Sequence, residues 1–221
     1  MPSSDLYTQV DTYLTDLFSL SDPVLEAVEQ SIRDHGLPEH SVSAAQGQFL
    51  ALLVRLCQAK RIVEVGTLGG YSSIFLARAM GPEGQLTTIE IDPVAAEVAK
   101  ENLAKAGLAD RCRVLNGPAM ELLASLEDNP APVDLFFMDA DKPNYIHYFE
   151  WALAHSRKGS LILADNVVRE GKVLDQNSHD EKVLGVQAYN AMLAAETRVQ
   201  SSVLTQIGIK GYDGLAISIV N

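Results

Sequence analysis

The sequence has few cysteines and few basic residues. Its 221 residues include only two cysteines, Cys57 and Cys112, which form no disulfide framework and fit a reducing compartment. Lysine and arginine together number 17 against 29 aspartates and glutamates, so the formal net charge is −12. An acidic surface repels phosphate backbones and anionic lipid head groups. Generic binding to nucleic acid or to a membrane surface is therefore disfavoured.

Long hydrophobic runs are also missing. No apolar run approaches the roughly 20 residues that a membrane-spanning helix needs. The N-terminal stretch MPSSDLYTQVDTYLTDL is acidic and lacks the apolar core of a signal peptide, so we expect a cytoplasmic protein. With 47% hydrophobic and 21% charged residues, the chain can bury a sizeable core. This length and composition predict one α/β domain over residues 1–221.

The order of apolar patterns predicts a doubly wound α/β sheet. Helical spacing over 5–20, 22–35 and 43–59 indicates three N-terminal helices. Short apolar runs then alternate with helical stretches. Strands that are apolar on both faces and are separated by helices are typical of a parallel sheet with helices on both sides. The predicted parallel strands are 61–66, 85–92, 112–117, 133–141 and 160–166.

The C-terminus departs from this alternation. After a predicted helix at 181–196, the strand-like segments VQSSVLTQI and GLAISIV are separated only by GIKGYDG. That connection is too short for a crossover between parallel strands, so we expect an antiparallel pair. The predicted fold is a Rossmann-like sheet of five parallel strands plus a C-terminal antiparallel hairpin, preceded by extra helices.

The first strand ends in the glycine-rich segment EVGTLGGYSS. Glycine allows the backbone to approach a ligand closely, and ligands of such sheets bind at the carboxyl ends of the strands. The spacing of Gly66, Gly69 and Gly70 is not the G-x-G-x-x-G of dinucleotide-binding proteins. No Gly-Lys-Ser/Thr follows as it would in a P-loop. These residues alone leave two readings open, a ligand-binding loop or simply a tight turn.

Acidic residues near the second strand favour a nucleoside ligand. Glu90 ends the segment TTIE, where a carboxylate can accept hydrogen bonds from both hydroxyls of a ribose. Asp92 precedes Pro93, which is the pattern of a helix N-cap followed by the first helical residue. That leaves Glu90 free for a ribose, although it too could act only as a cap. Glu64 lies within an apolar strand and needs partners such as a ligand ammonium or loop amides.

Oxygen-bearing side chains follow the fourth and fifth predicted strands. Asp139 ends one strand, and Asp165 and Asn166 end the strand expected beside it. Neighbouring strands lie about 4.8 Å apart, so these oxygens can converge. Two carboxylates and an amide oxygen suit Mg²⁺, or else Mn²⁺ or Ca²⁺, better than Zn²⁺. The alternative is that both acids only cap the helices that follow them.

Four segments together carry a family resemblance: VEVGTLGGYSS, TTIEID, MDADKPNY and ADNVVREGKV. In this order and spacing they resemble class I S-adenosylmethionine methyltransferases. More narrowly, they resemble the cation-dependent O-methyltransferases related to catechol and caffeoyl-CoA O-methyltransferase. The similarity runs from about residue 42 to residue 214. The resemblance implies the methyltransferase form of the doubly wound fold.

The resemblance also implies roles for individual residues. Val42 would be a helical contact to the cofactor, Glu90 would hold its ribose and Ala119 would lie by its adenine. Pro118 could equally just start a helix there, and Asp141 could be an N-cap rather than a cofactor contact. The implied cofactor-binding set is Val42, Glu64, Gly66, Thr67, Ser72, Glu90, Ala119, Asp139 and Asp141. The implied metal ligands are Asp139, Asp165 and Asn166.

The chemistry implied by the resemblance is methyl transfer to a hydroxyl oxygen. A phenol has a pKa of about 10 and is a poor nucleophile at neutral pH, but a bound divalent cation lowers that pKa. Two adjacent hydroxyls chelate one metal, so a catechol-like small molecule is the expected acceptor. In the resembling enzymes a lysine at the position of Lys142 takes the hydroxyl proton. By residue type alone, Lys142 would be a solvated surface lysine.

Other functions and partners stay open from the sequence. A tRNA hydroxyuridine methyltransferase would need a local basic strip around Lys158, Arg169 and Lys172, against the acidic net charge. A dehydrogenase of Rossmann type conflicts with the glycine spacing and with the terminal hairpin. The apolar helices in residues 1–60 and the resemblance favour a homodimer, with those helices also contributing to the site.

Overall fold

The structure is a computed structural model that describes residues 4–126 and 131–221. Its helices are α1 (Ser4–Leu17), α2 (Pro23–Asp34), α3 (Ala44–Leu56), α4 (Tyr71–Ala79), α5 (Pro93–Lys105), α6 (Ala119–Ala124), α7 (Tyr145–Ala154) and α8 (Glu181–Ala195). Its strands are β1 (Arg61–Val65), β2 (Gln85–Glu90), β3 (Cys112–Asn116), β4 (Val133–Met138), β5 (Ser156–Ala164), β6 (Val199–Gly208) and β7 (Gly211–Val220). Short 3₁₀ segments occupy Lys142–Asn144 and Arg169–Leu174.

The strands form one sheet in the order β3-β2-β1-β4-β5-β7-β6, as far as the described residues show. Strands β1 to β5 are parallel, and β7 runs antiparallel to both β5 and β6. The strand order reverses between β1 and β4, and ligands bind at such a switch point in doubly wound sheets. The doubly wound prediction and the terminal hairpin are both confirmed.

The central strand β4 shows why this sheet is parallel and covered. All six of its residues, VDLFFM, are buried, because helices pack on both faces of the sheet. Leu135 and Phe137 face one apolar cluster, and Phe136 and Met138 face the other. A strand of this kind has no solvent face on which polar residues could alternate. Within the described residues, no helix is long and apolar enough to cross a membrane.

Two boundaries differ from the sequence prediction in ways that affect the site. β4 ends at Met138 rather than at residue 141: the Asp139 N–H still donates to the Val65 carbonyl of β1, and the chain then enters the 3₁₀ segment Lys142–Asn144. The resemblance implied that Val42 is helical, but α3 begins only after its N-cap Ser43, so Val42 precedes the helix. Val42 and Asp139 therefore both lie in loops at the carboxyl edge of the sheet, and binding residues are often found in such loops.

Candidate active site

The register of β4 and β5 places the predicted metal ligands side by side. Met138 pairs with Ala164, so Asp139 and Asp165 are the next residues of adjacent parallel strands. Asn166 follows with φ of +58°, a left-handed conformation that turns the chain sharply after the strand. The sequence prediction that these two strands are neighbours is confirmed.

Lys142 joins these residues into one cluster. Its Nζ donates to Asp139 Oδ1 at 3.2 Å, to Asn166 Oδ1 at 3.0 Å and to the Asp165 carbonyl at 3.3 Å. The side chain is only 6% exposed. Lys142 is therefore not the solvated surface lysine that its residue type suggests. A buried ammonium is stable here because oxygen acceptors surround it.

Two neighbours that position this cluster were missed by sequence reasoning. Tyr145 is fully buried, and its hydroxyl lies 2.5 Å from Lys142 Nζ and donates to the Asp165 carbonyl at 2.9 Å. Burial, with Asp139 and Asp165 nearby, raises the pKa of Tyr145 well above its ordinary value, so the phenol stays neutral. Gln46 of α3 donates from Nε2 to Asp165 Oδ2 at 2.8 Å. The N-terminal helices thus reach the site directly.

The charges at this edge fit a divalent cation. Burial and the negative charge of Asp139 raise the pKa of Asp165 to about 7. Asp165 is 3% exposed, so the repulsion between the two carboxylates is weakly screened by water. Within the described ranges no group of three or more His, Cys, Asp or Glu could hold a metal ion. The candidate ligand set is instead two carboxylates and one amide oxygen, the hard donors that Mg²⁺ accepts.

The glycine segment after β1 forms a loop that is fixed from two sides. Gly66 has φ of +97°, and a Cβ there would collide with the Asp139 carbonyl, so only glycine fits. Glu90 Oε2 accepts from the N–H of Thr67 at 3.1 Å and of Leu68 at 2.7 Å. Glu90 and the close approach of Asp139 therefore fix the loop backbone beside the reversal of strand order. A tight turn alone would not need these long-range contacts.

Glu90 and Asp92 divide the roles that the sequence left open. Asp92 Oδ1 accepts from the N–H groups of Val94 at 2.7 Å and Ala95 at 3.2 Å, so Asp92 is the N-cap of α5. Glu90 Oε1 accepts from the Asp92 N–H at 2.9 Å. A carboxylate has about four acceptor positions, and backbone amides use three of those on Glu90. Glu90 borders the cavity at this edge and is only half-buried.

Glu64 is completely buried behind this loop. Its carboxylate accepts from the hydroxyls of Ser72, at 2.6 Å, and of Ser73. Its partners are thus α4 hydroxyls rather than the loop amides or ligand ammonium expected from the sequence. Burial raises the pKa of Glu64 to about 7. Ser72 borders the cavity and Glu64 does not, so Ser72 stands between Glu64 and any ligand.

A cavity of about 650 Å³ contains both ends of the predicted site. From the implied cofactor and metal sets, its lining includes Val42, Gly66, Thr67, Ser72, Glu90, Asp139, Asp141, Asp165 and Asn166. Lys142, the implied proton acceptor, lines it as well. Arg169 lines the same cavity, which the sequence did not establish. The glycine loop after β1 and the group of Asp139, Lys142, Asp165 and Asn166, called the acidic cluster below, therefore share one continuous space.

An adjoining cavity of about 400 Å³ lies on the other side of Glu90. Ala119 and Tyr148 line it, and Asp141 borders both cavities. Pro118 precedes α6 as its N-cap, so this segment does start a helix, while the contact of Ala119 with an adenine stays a prediction. Asp141 accepts from the Tyr148 hydroxyl at 2.6 Å and from the Asn144 amide, and its carboxylate makes no capping bond to the backbone.

Comparison with known proteins gives a consistent result. The family model described as O-methyltransferase matches residues 17–217. A catechol O-methyltransferase of Niastella koreensis is 48% identical over 219 residues, covering 99% of each chain. A catechol O-methyltransferase of Mycobacterium tuberculosis is 41% identical, covering 96% of this chain and 94% of the relative.

Solved structures agree with the sequence relatives. An O-methyltransferase from Bacillus cereus in complex with SAH has a TM-score of 0.96 and 43% identity, covering 99% of this chain and all of that one. An O-methyltransferase from Streptomyces achromogenes, involved in tomaymycin synthesis and solved with SAM, has a TM-score of 0.96 and 42% identity over the whole of both chains. The fold is that of a methyltransferase. The chain belongs to the O-methyltransferase family.

Proposed function

We propose that the protein transfers a methyl group from S-adenosylmethionine to one hydroxyl of a catechol-like small molecule, with the help of a divalent cation. The observation that carries the proposal is the convergence of Asp139, Asp165, Asn166 and Lys142 in the same cavity as the glycine loop. The catechol O-methyltransferases related to this chain support the acceptor class. The methyltransferase structures solved with SAM and SAH support the cofactor.

The cofactor would extend along the carboxyl ends of β1 and β2. Its methionine part would lie by Gly66 and Thr67, close to Ser72 and to Asp141. Its ribose would meet the remaining acceptor positions of Glu90. Its adenine would lie in the adjoining cavity by Ala119, where the lining is more apolar than at the acidic cluster. This direction leaves the sulfonium near Asp139, at the strand-order reversal.

Replacing Glu90 tests this cofactor position. Glu90→Ala is expected to weaken S-adenosylhomocysteine binding at least about tenfold, because charge-assisted hydrogen bonds contribute roughly 1.5–3 kcal/mol each. The loop amides of Thr67 and Leu68 also lose their acceptor, which adds to the loss. Calorimetric titration measures the effect.

Asp92→Ala is the matched control, because it removes a carboxylate two residues away that caps α5. We expect it to lower the melting temperature and to leave S-adenosylhomocysteine affinity nearly unchanged. Equal affinity in wild type and Glu90→Ala would return Glu90 to a purely structural role.

Asp139, Asp165 and Asn166 would hold the cation, which, when bound, lowers the pKa of an acceptor hydroxyl and fixes its position. In the described structure the Lys142 ammonium bonds oxygens of these three residues. With the Asp139 and Asp165 carboxylates and the Asn166 amide oxygen holding the cation, Lys142 Nζ would be available to the acceptor hydroxyl. Gln46 and the Asn166 N–H hold the Asp165 carboxylate in place from behind.

The proposed transfer balances without another reactant. Lys142 acts as the neutral amine, after its ammonium has released one proton to solvent. Its Nζ takes the proton of the acceptor hydroxyl, and the hydroxyl oxygen forms a bond to the methyl carbon. The carbon–sulfur bond breaks in line with that attack, and its electron pair returns to sulfur. The products are a methyl ether, S-adenosylhomocysteine and a protonated lysine. Tyr145, fixed by backbone carbonyls, holds Nζ in position through its hydroxyl.

The tRNA alternative loses support from the geometry. Lys158 lies near the start of β5, and Arg169 lies beyond its end. Each strand residue adds about 3.3 Å, so Lys158 lies roughly 20 Å from the end of β5. Lys158 therefore lies apart from Arg169 and Lys172, which share the segment after β5. The acidic net charge adds to this argument.

We also propose a homodimer formed through the β6 edge and α1. β6 is the outermost strand and pairs only with β7, which leaves one edge without a strand partner in the described part of the chain. Asp11 of α1 accepts from the Ile209 N–H at 3.0 Å and ties the helix to this edge. The exposed apolar side chains here are Leu6, Val10, Tyr13, Leu14, Leu17, Phe18, Val203, Leu204, Ile207 and Ile209.

Light scattering tests the dimer. Wild type is expected at twice the chain mass of 23.9 kDa. Leu204→Asp places a charge in the apolar edge and is expected to give monomers, because burying an unpaired charge is unfavourable. Gln200→Asp, on the same strand, is the control and should remain dimeric. A monomeric wild type at micromolar concentration contradicts the proposal.

A further inference from the structure

Three basic side chains outside the predicted site line the main cavity of this acidic protein. Arg169, Lys182 and Lys210 all line this cavity, although the net charge of the chain is −12. They come from three separate segments, namely the turn after β5, the first turn of α8 and the β6–β7 connection. Fields from like charges add inside a cleft with low-dielectric walls. Close to these three side chains an anion is favoured, while Glu39, Glu170 and the carboxylates beside Lys142 contribute negative charge to the rest of the lining.

These cations are not held in close ion pairs. Among the described residues, none of Arg169, Lys182 and Lys210 forms an ion pair within 4 Å. Glu170 borders the same cavity and feels the charge of Arg169, but its own ion pair is with Lys172 at 2.8 Å. The positive charges remain available to a ligand.

Arg169 is the best placed of the three. Its backbone N–H donates to Asp213 Oδ1 at 2.8 Å, and the same oxygen accepts from Val168 at 3.0 Å and Gly214 at 2.8 Å. This clamp fixes residue 169 against the hairpin whose turn carries Lys210. The Arg169 Nε is buried and has no hydrogen-bond partner among the described residues. Buried donors are nearly always satisfied, so an acceptor atom from a ligand is expected there.

We propose that the methyl acceptor carries an anionic group, and that Arg169 binds it while Lys182 and Lys210 add attraction at the cavity mouth. This inference rests on the proposed function, because it assigns one end of the acceptor to Arg169 and the hydroxyl end to the acidic cluster. Arg169 lies three residues beyond Asn166, so one small molecule can reach both. The anion is either a carboxylate on the ring side chain or a phosphate of a larger ester.

Matched acceptors test the inference. 3,4-Dihydroxyphenylacetate and its amide differ in charge, while the methylene group insulates the ring hydroxyls from that difference. Wild type is expected to prefer the acid at least about tenfold in kcat/KM, mainly through KM, because one charge-assisted contact to Arg169 is lost with the amide. The preference should shrink in 0.5 M NaCl, since salt screens the exposed lysines. 3,4-Dihydroxycinnamate and its coenzyme A thioester distinguish a carboxylate source from a phosphate source.

Charge-neutralising variants identify the residues involved. Arg169→Gln should bring the acid-to-amide ratio close to one, and Lys182→Gln with Lys210→Gln should lower it by a smaller factor because both lysines are exposed. Lys158→Gln, near the far end of β5, changes the net charge equally and should leave the ratio as in wild type. If Arg169→Gln does not fold, the lysine double variant decides by itself.

The outcomes separate this inference from the proposed function. Equal use of acid and amide by wild type, or a ratio unaffected by the cavity variants, overturns the anion site while catechol methylation stands. Preference for the thioester, lost in the cavity variants, supports the anion site with phosphate as the anion. Absence of transfer to every catechol overturns both.

Discussion

Removal of divalent metal with EDTA is expected to abolish methyl transfer, and added Mg²⁺ is expected to restore it. The acceptor hydroxyl has a pKa of about 10, so little of it is ionised at neutral pH without a cation. The two carboxylates and the amide oxygen at the ends of β4 and β5 supply the only ligand set proposed for that cation. Initial rates with a labelled cofactor measure the effect.

A direct measurement of Mn²⁺ binding tests the metal site independently of the reaction rate. Asp165→Asn is expected to weaken Mn²⁺ binding in calorimetry by more than about tenfold, since even the loss of a residue that merely supports a ligand costs 10–100-fold. Asp175→Asn, an exposed residue further along the same connection, is the control and should bind Mn²⁺ as wild type does. Full activity in metal-free buffer would contradict the proposed cation.

Lys142→Ala is expected to lower kcat by about 10²–10⁴-fold, the usual range for loss of a general base. S-adenosylhomocysteine affinity should change little, because Lys142 faces the acceptor side of the acidic cluster. Tyr145→Phe keeps the lysine and removes the hydroxyl 2.5 Å from Nζ, so a smaller loss in kcat is expected. Lys142→Met repeats the test with a side chain that fills more of the buried space.

The acidity of the acceptor decides between proton removal and simple positioning. A nitrocatechol ionises readily without a base, so its methylation should be much less sensitive to Lys142→Ala than that of an ordinary catechol. If both acceptors lose the same factor in kcat, Lys142 positions the acceptor and another group removes the proton. Thermal unfolding of each variant shows whether the fold survives loss of the buried ammonium.

The fold could be predicted from the sequence because its signals are local. Apolar strands without alternation indicate burial on both faces, and the seven-residue GIKGYDG connection allows only an antiparallel pair. Asp139 and Asp165 were assigned to adjacent strand ends on the same reasoning, and the Met138–Ala164 pairing confirms it. Asp before Pro is itself a local pattern that predicts a helix cap, and Asp92 is the N-cap of α5.

Residues that act across long sequence separations were not predicted. Gln46 bonds Asp165 from 119 residues away, and nothing in its own helix marks that contact. Tyr145 reads as an ordinary core aromatic of α7 until its hydroxyl is seen beside Lys142. The burial of Lys142 itself depends on acceptors from two strands and a helix, so its residue type suggested the opposite environment. Arg169 had no expected place because its cavity forms only when β5, α8 and the hairpin meet.

The most direct test of the account compares vicinal and separated hydroxyls on one ring. The protein is given S-adenosylmethionine carrying a labelled methyl group, Mg²⁺, and either catechols, resorcinols or bulk tRNA, and products are identified by mass spectrometry. We expect one labelled methyl per catechol ring, little or no label on resorcinols or tRNA, and loss of all label in EDTA. Equal labelling of resorcinols with and without EDTA, or label found in tRNA alone, would contradict the proposed metal-assisted transfer to a catechol.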